Sequence, residues 1–383
     1  MKVAIPRERM PGETRVAASA DMVKKLVGFG FEVVVEKGAG EDAAIPDADF
    51  EAAGASIAKD EASALGDADV VIKVQRPVMD GRLNEVEMMK SGAILVAQLA
   101  ALTHRDEVEA YAQAGLTTFA MELMPRISRA QSMDILSSQN NLAGYKAAID
   151  AAAEFSGAFP MMMTAGGTVP AAKVFIMGVG VAGLQAIATA KRLGAIVTAT
   201  DVRPATKEQV ESLGGKFVMV DEAAMKDAET AAGYAKEMSD EFKRKQAEVV
   251  AEHLKKQDVV ITTALIPGKP APKLLTEEMV TTMKPGAVII DLAAETGGNC
   301  ELTEPGKVVV KHGVKIVGHL NVPGRLPKDA SQLFARNVLN FLTPHVDKEQ
   351  KVLAFNWEDE TVSGTLVTKD GKIVNPQLTG EGQ

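Results

Sequence analysis

Short apolar runs alternate with alanine-rich, helix-patterned runs along most of the 383-residue chain, as in successive β–α units. In the first third, residues 2–5, 32–35, 70–72, 93–96 and 118–121 have the length and content of buried strands. A helix is expected over residues 22–28, with Val23, Leu26 and Val27 on one face. A second series of strands is expected at 174–177, 196–200, 258–264, 287–291 and 314–317. Residues 141–159 form an alanine-rich helix ended by Gly157 and Pro160, carrying the chain from one domain to the next. A helix over 330–342, with Leu333, Val338 and Leu342 apolar, returns to the first domain. Segments 361–368 and 372–374 flank Asp370-Gly371, a hairpin signal and a candidate dimer contact. The pattern predicts an α/β protein of two doubly wound parallel-sheet domains with a cleft between them. One comprises residues 1–137 plus 328–383 and the other 138–327.

Within the second series lies Gly178-Val179-Gly180-Val181-Ala182-Gly183, after one strand and before a helix that runs to Leu193 and stops at Gly194. The next strand ends at Asp201. Each part has a role in holding a dinucleotide: Gly178 permits the tight turn, Gly180 clears the pyrophosphate, and Gly183 lets the helix lie on the strand. The helix N-terminus offers free N–H groups and a positive dipole end to phosphates. Asp201 suits the adenine ribose hydroxyls and favours NAD, although Arg203, beyond Val202, could hold a phosphate. Thr263, Ala264 and Leu265, ending the strand that starts at Asp258, join the same Rossmann-like site. A bare glycine turn that only packs helix on sheet would lack the second strand and its acid. Gly38-Ala39-Gly40 has no third glycine at the right spacing and reads as a turn.

Three polar features stand outside that unit. Arg15 and Lys73 leave strand ends, where cations line ligand crevices or sit as solvated surface charges. Residues 122–138 place Arg126, Arg129, Gln131, Asp134 and Ser137 in a loop-like segment. That inventory can position a carboxamide such as nicotinamide, or be a polar loop with a helix cap. Gly233-Tyr234-Ala235, in an alanine-rich polar stretch, reads as the start of a helix continuing to Lys256 or as a mobile flap.

Composition narrows the function. Hydrophobic residues make up 46% and charged residues 24%, ordinary for a globular protein. A net charge of −9 without a basic run argues against nucleic acid. No apolar stretch reaches membrane-spanning length, and the first residues lack a signal-peptide pattern, so a soluble, cytoplasmic chain is expected. The single cysteine, Cys300, excludes an internal disulfide, and the five histidines have no metal-like spacing.

Several motifs carry a resemblance along nearly the whole chain: Ile5-Pro6-Arg7-Glu8, Glu13-Thr14-Arg15-Val16-Ala17, Lys73, the Gly178–Gly183 turn, Lys284-Pro285-Gly286 and Gly297-Gly298. With these the chain resembles the family uniting alanine dehydrogenase with the NAD(H)-binding component of proton-translocating NAD(P) transhydrogenase. Residues 126–141 are similar to the transhydrogenase branch almost position for position. The resemblance implies that Arg126, Gln131, Asp134 and Ser137 contact the nicotinamide, and that Tyr234 closes over bound nucleotide. The dehydrogenase branch carries a catalytic histidine where this chain has Gln98, and a catalytic aspartate where it has Glu295. Amino-acid oxidation needs a group that moves protons, and Gln98 cannot do so. The resemblance therefore implies an NAD(H) subunit of the Si/Re-specific enzyme, active only with partners. Those partners are an NADP(H)-binding domain and membrane subunits that conduct protons, which place this chain peripherally on the inner face of the membrane. A homodimer is implied as well. An alanine dehydrogenase-like enzyme and a non-catalytic NAD sensor are the competing readings.

Overall fold

The computed structural model describes residues 1–81, 83–203, 205–219, 240–266 and 268–380. The chain divides into two units, Met1–Gln139 with Gly324–Gln383, and Asn140–Pro323.

Among the described residues of the first unit, eight strands form one sheet. Their order is Lys372–Ile373, Leu366–Lys369, Thr117–Ala120, Ile94–Gln98, Val70–Gln75, Lys2–Ile5, Glu32–Glu36, Ser56–Ala58. From Thr117–Ala120 onward the neighbours pair in parallel. Both faces are covered, so the strands are apolar throughout rather than alternating. Val70, Ile72 and Val74 enter one core, and Val71 enters the other. Helix Pro327–Leu342 begins with its proline, which needs no N–H partner there. It buries Phe334, Ala335, Val338, Phe341 and Leu342 against the first of those cores. Leu333, expected in this stripe, is only half-buried, and Phe334 holds the place.

The second unit has a seven-stranded sheet among its described residues. Its order is Lys216–Phe217, Ile196–Thr200, Lys173–Met177, Val259–Thr262, Val288–Asp291, Val314–Val317, Val308–Lys311. All neighbours pair in parallel except the last two strands. Val174 and Ile176 face one core while Phe175 and Met177 face the other. Both units are thus Rossmann-like α/β layers with parallel sheets.

Several elements differ from the pattern in the sequence. The helix expected at 141–159 runs Ile135–Glu154, because Asp134 accepts from the Ser137 N–H at 3.1 Å and starts it earlier. The segment 361–368 is half helix: Asp359 accepts from the Thr361 N–H at 2.8 Å and caps helix Glu360–Thr365. The hairpin is the shorter pair Leu366–Lys369 and Lys372–Ile373, with Asp370 and Gly371 both at positive φ, as the tight turn requires. It pairs with Thr117–Ala120 and extends its own unit's sheet. Edge strands Ser56–Ala58 and Val308–Lys311 were not anticipated, nor was an exposed hairpin of Met162–Thr164 with Gly167–Val169.

Candidate functional site

In the second unit, the strand ends gather the predicted dinucleotide residues. Strand Lys173–Met177 lies between Ile196–Thr200 and Val259–Thr262, so the turn after it meets residues leaving both neighbours. The Gly178 N–H donates to Thr200 O at 3.0 Å, and the Thr263 hydroxyl donates to Gly178 O at 2.9 Å. Asp201 accepts from the Val179 N–H at 2.7 Å, and Arg203 donates to the same carboxylate through its N–H, Nε and Nη2, each at 2.9 Å. Val202 follows Asp201 at half-buried exposure. Gly178 has φ +97, accessible to glycine and strained for a side chain. Gly183 packs so closely that a Cβ would fall 1.9 Å from Gly178 O.

The arrangement fits a pyrophosphate. Helix Val181–Arg192 starts from Gly180 without a side-chain cap, leaving its first N–H groups for another acceptor. A Cβ on Gly180 would meet nothing within 4 Å, so close approach by a ligand is unobstructed there. Val181 and Leu265 are exposed, and Ala182 is half-buried. Ala264 is held by Asn299, whose Oδ1 accepts from its N–H at 3.0 Å and whose Nδ2 donates to its carbonyl at 2.8 Å. Sequence reasoning passed over Asn299 although it directly follows Gly297-Gly298. Gly144 was missed too: a Cβ on it would lie 2.0 Å from Ala182 O, so the helix meets the glycine turn at backbone distance. Gly233, Tyr234 and Ala235 lie outside the described residues.

In the first unit, the polar segment is a 3₁₀ helix, Ser128–Met133, rather than a loop. A 3₁₀ helix repeats every three residues. Ile127, Ala130 and Met133 therefore turn inward, the last two fully buried, while Ser128, Arg129, Gln131 and Ser132 are exposed. Arg126 precedes the turn and is exposed as well. Asp134 leaves it half-buried, its Oδ2 accepting from the Ser137 hydroxyl at 2.5 Å. Arg129 places its guanidinium fork on Asp359 with two bonds of 2.9 Å, and that carboxyl is held below the usual range by those bonds.

Arg15 and Lys73 are not surface charges; their exposures are 4% and 0%. Arg15 donates to Glu13 at 2.8 and 2.7 Å and to Gln139 at 2.7 Å. Lys73 lies 2.6 Å from Glu85 and 3.5 Å from Glu8. Burial, reinforced by Glu13 and Glu85 and opposed by Lys73, pushes the Glu8 carboxyl up to about 7. Burial would also raise Glu13, but the hydrogen bonds and charge of Arg15 outweigh it and hold that carboxyl at about 2. Gln98 closes its strand opposite Gln75, whose amide donates to Glu13 at 2.8 Å. Glu295 accepts from the Asn321 N–H on a short 3₁₀ turn.

Comparison with known proteins agrees with this fold. Residues 4–143 match the "Alanine dehydrogenase/PNT, N-terminal domain" family and residues 147–376 the corresponding "C-terminal domain" family. The chain is 69% identical over 383 residues, all of both chains, to an NAD(P) transhydrogenase subunit alpha chain of Rhodospirillum rubrum. It is 30% identical over 383 residues to alanine dehydrogenase of Halomonas elongata, covering 97% of this chain and 94% of that one. A solved structure of transhydrogenase from Sinorhizobium meliloti superposes with a TM-score of 0.88 at 54% identity, covering 98% of this chain and all of that one. With both of its domains matched, the chain belongs to the alanine dehydrogenase/PNT family.

Proposed function

We propose that the chain is the NAD(H)-binding subunit of a proton-translocating NAD(P) transhydrogenase. It delivers hydride to NADP⁺ on a partner domain, while a membrane subunit conducts the protons. The observation that carries this reading is the 3₁₀ display in the first unit. Its polar residues are held outward on an apolar footing, with amide, guanidinium and hydroxyl groups but no group poised to shuttle a proton. The buried ion pairs of Arg15 with Glu13 and of Lys73 with Glu85, and Gln98 in place of a proton carrier, support the same reading over an amino-acid dehydrogenase.

NAD(H) is the cofactor, and it supplies the hydride. Gly178 to Gly183 and the helix start hold its pyrophosphate; Asp201 with Val202 and Arg203 hold the adenosine side; Thr263, Ala264 and Leu265 lie beside the chain's path. The reading also assigns Gly233, Tyr234 and Ala235 to its binding. Arg126, Gln131, Asp134 and Ser137 orient the nicotinamide toward the partner. Direct transfer between two nicotinamide rings moves no proton at the reacting carbons, so orientation is the chain's contribution. Alignment alone is worth an effective molarity of roughly 10⁵ M or more. Among the described residues no helix is long and apolar enough to cross a membrane. In this reading the proton path belongs to the partner, with this chain peripheral on the cytoplasmic side and dimeric.

Gln131→Asn tests the assignment. The shorter amide should slow NADH-to-NADP⁺ transfer by about tenfold or more at near-normal NADH affinity. Stopped-flow transfer and fluorescence titration of NADH measure the two quantities separately. Parallel loss of binding and rate, or loss of neither, would remove the segment from the site.

A further inference from the structure

Beneath the polar segment of the first unit lies one residue that grips it at two points. Asn337, on helix Pro327–Leu342, is 7% exposed among Phe334, Val338 and Phe341 of an otherwise apolar stripe. Its Nδ2 donates to Ser132 O at 2.9 Å, and its Oδ1 accepts from the Ser138 hydroxyl at 2.7 Å. The two grips bracket Asp134 and Ser137 and start one residue after Gln131. Asn340, one turn further along the helix, donates to the same Ser132 carbonyl at 3.0 Å.

The far side of Ser138 is tied down as well. Gln139 donates to the Ser138 hydroxyl at 3.2 Å and to Ala330 O at 3.1 Å, and accepts from Arg15 at 2.7 Å. Arg15 is in turn locked onto Glu13. A 3₁₀ segment has poorer hydrogen-bond geometry than an α-helix and seldom holds its own shape. Here it is held from outside near both ends, by Arg129 on Asp359 at its start and by Asn337 on the Ser132 carbonyl at its finish.

An amide in an apolar stripe gives up core burial that a leucine of similar size would supply, and its cost is offset only while every bond is made. We propose that Asn337 is a positioning residue for hydride transfer: its amide sets the spacing and aim of Gln131, Asp134 and Ser137, with Asn340 in support. Arg15, which the sequence offers as a crevice cation or a surface charge, forms the base of that support with Gln139. The proposal rests on the reading that this segment orients the nicotinamide.

The test is single-turnover hydride transfer from NADH to NADP⁺ on a purified NADP(H)-binding transhydrogenase domain, with NADH affinity measured in parallel. Misplacement by about 1 Å can lower a rate up to 10²-fold, so Asn337→Leu should transfer at least about tenfold more slowly while binding NADH within about threefold of wild type. Asn340→Ala, which removes only the second donor to Ser132, should be slowed severalfold and cannot unfold the unit. Thr368→Val is the control. It removes a buried hydroxyl bonded to Thr118 in the same unit without touching the segment, and should transfer at the wild-type rate. Wild-type transfer by both asparagine variants would overturn the proposal, as would equal slowing in Thr368→Val. If Gln131→Asn also transfers normally, the nicotinamide reading itself has failed. If Gln131→Asn is slow and the asparagine variants are not, only the positioning role has failed.

Discussion

Gly180 and Gly183 separate the two demands made on the glycine turn. A methyl at Gly183 collides with Gly178 O, so Gly183→Ala should lower stability by about 1–3 kcal/mol, the usual range for overpacking. Gly180 has φ −81 and open space around it, so the fold should tolerate alanine. Only a bound pyrophosphate would feel that methyl. Gly180→Ala should therefore melt like wild type but bind NADH about tenfold or more weakly, about 1.4 kcal/mol. Melting curves and fluorescence titration check both; normal NADH binding in Gly180→Ala would place the pyrophosphate elsewhere. The carboxyls of the first unit make a second prediction. Glu8 keeps its proton in the folded state up to about 7, whereas the unfolded group loses it near 4.5. The folded state therefore binds the extra proton between those values, and stability falls as pH rises through that window. Glu61, also raised to about 7 by burial and Glu85 against Arg9, acts in the same sense. Glu13 acts oppositely: its contribution is complete above 4.5 and is lost as pH falls toward 2. Glu8→Gln should flatten the decline in urea midpoint between pH 5 and 7. An unchanged slope would show that Glu8 is not the titrating group.

The legibility of elements depended on how many faces they bury. Strands 174–177, 196–200 and 314–317 were plain in the sequence because both sides of the sheet are covered there and every position but Lys315 is apolar or small. Edge strand Val308–Lys311 does carry a run of three valines, which sequence reasoning passed over; it pairs on one side only, and its residues are half-buried or exposed. The 3₁₀ segment was hidden by its period. Ile127, Ala130 and Met133 recur every three residues, which fits neither the helical nor the strand template. Helix Ile135–Glu154 was recognised by its alanines, but its early start depended on Asp134 as a cap, and Gly144 within it carried no visible reason. Replacing a helical glycine by alanine ordinarily stabilises by about 1 kcal/mol. Gly144→Ala should instead destabilise, because the methyl meets Ala182 O at 2.0 Å. A higher melting temperature would show that the helix and glycine turn can separate without cost.

At the scale of the whole molecule, the parallel-sheet class was legible from alternating β and α patterns, and the candidate dinucleotide site was proposed from one strand–turn–helix–strand unit. What sequence could not supply was the state of the charges. Arg15 and Lys73 look alike as solvated loop cations or crevice ligands until the sheet brings Glu13, Glu8, Glu85 and Gln139 against them. Apart from Arg15 on its near neighbour Glu13, those contacts join residues well separated in the chain, and no local pattern announces them. The pairings leave a molecule rich in orienting groups and without a proton carrier at Gln98, which suits the proposed hydride exchange better than amino-acid oxidation. The most direct test is stopped-flow mixing of the NADH-loaded chain with NADP⁺ on a purified NADP(H)-binding domain, beside an assay of the chain alone with alanine and NAD⁺. The account predicts rapid hydride transfer in the first and no alanine-dependent NADH formation in the second. Alanine oxidation without transfer would contradict it.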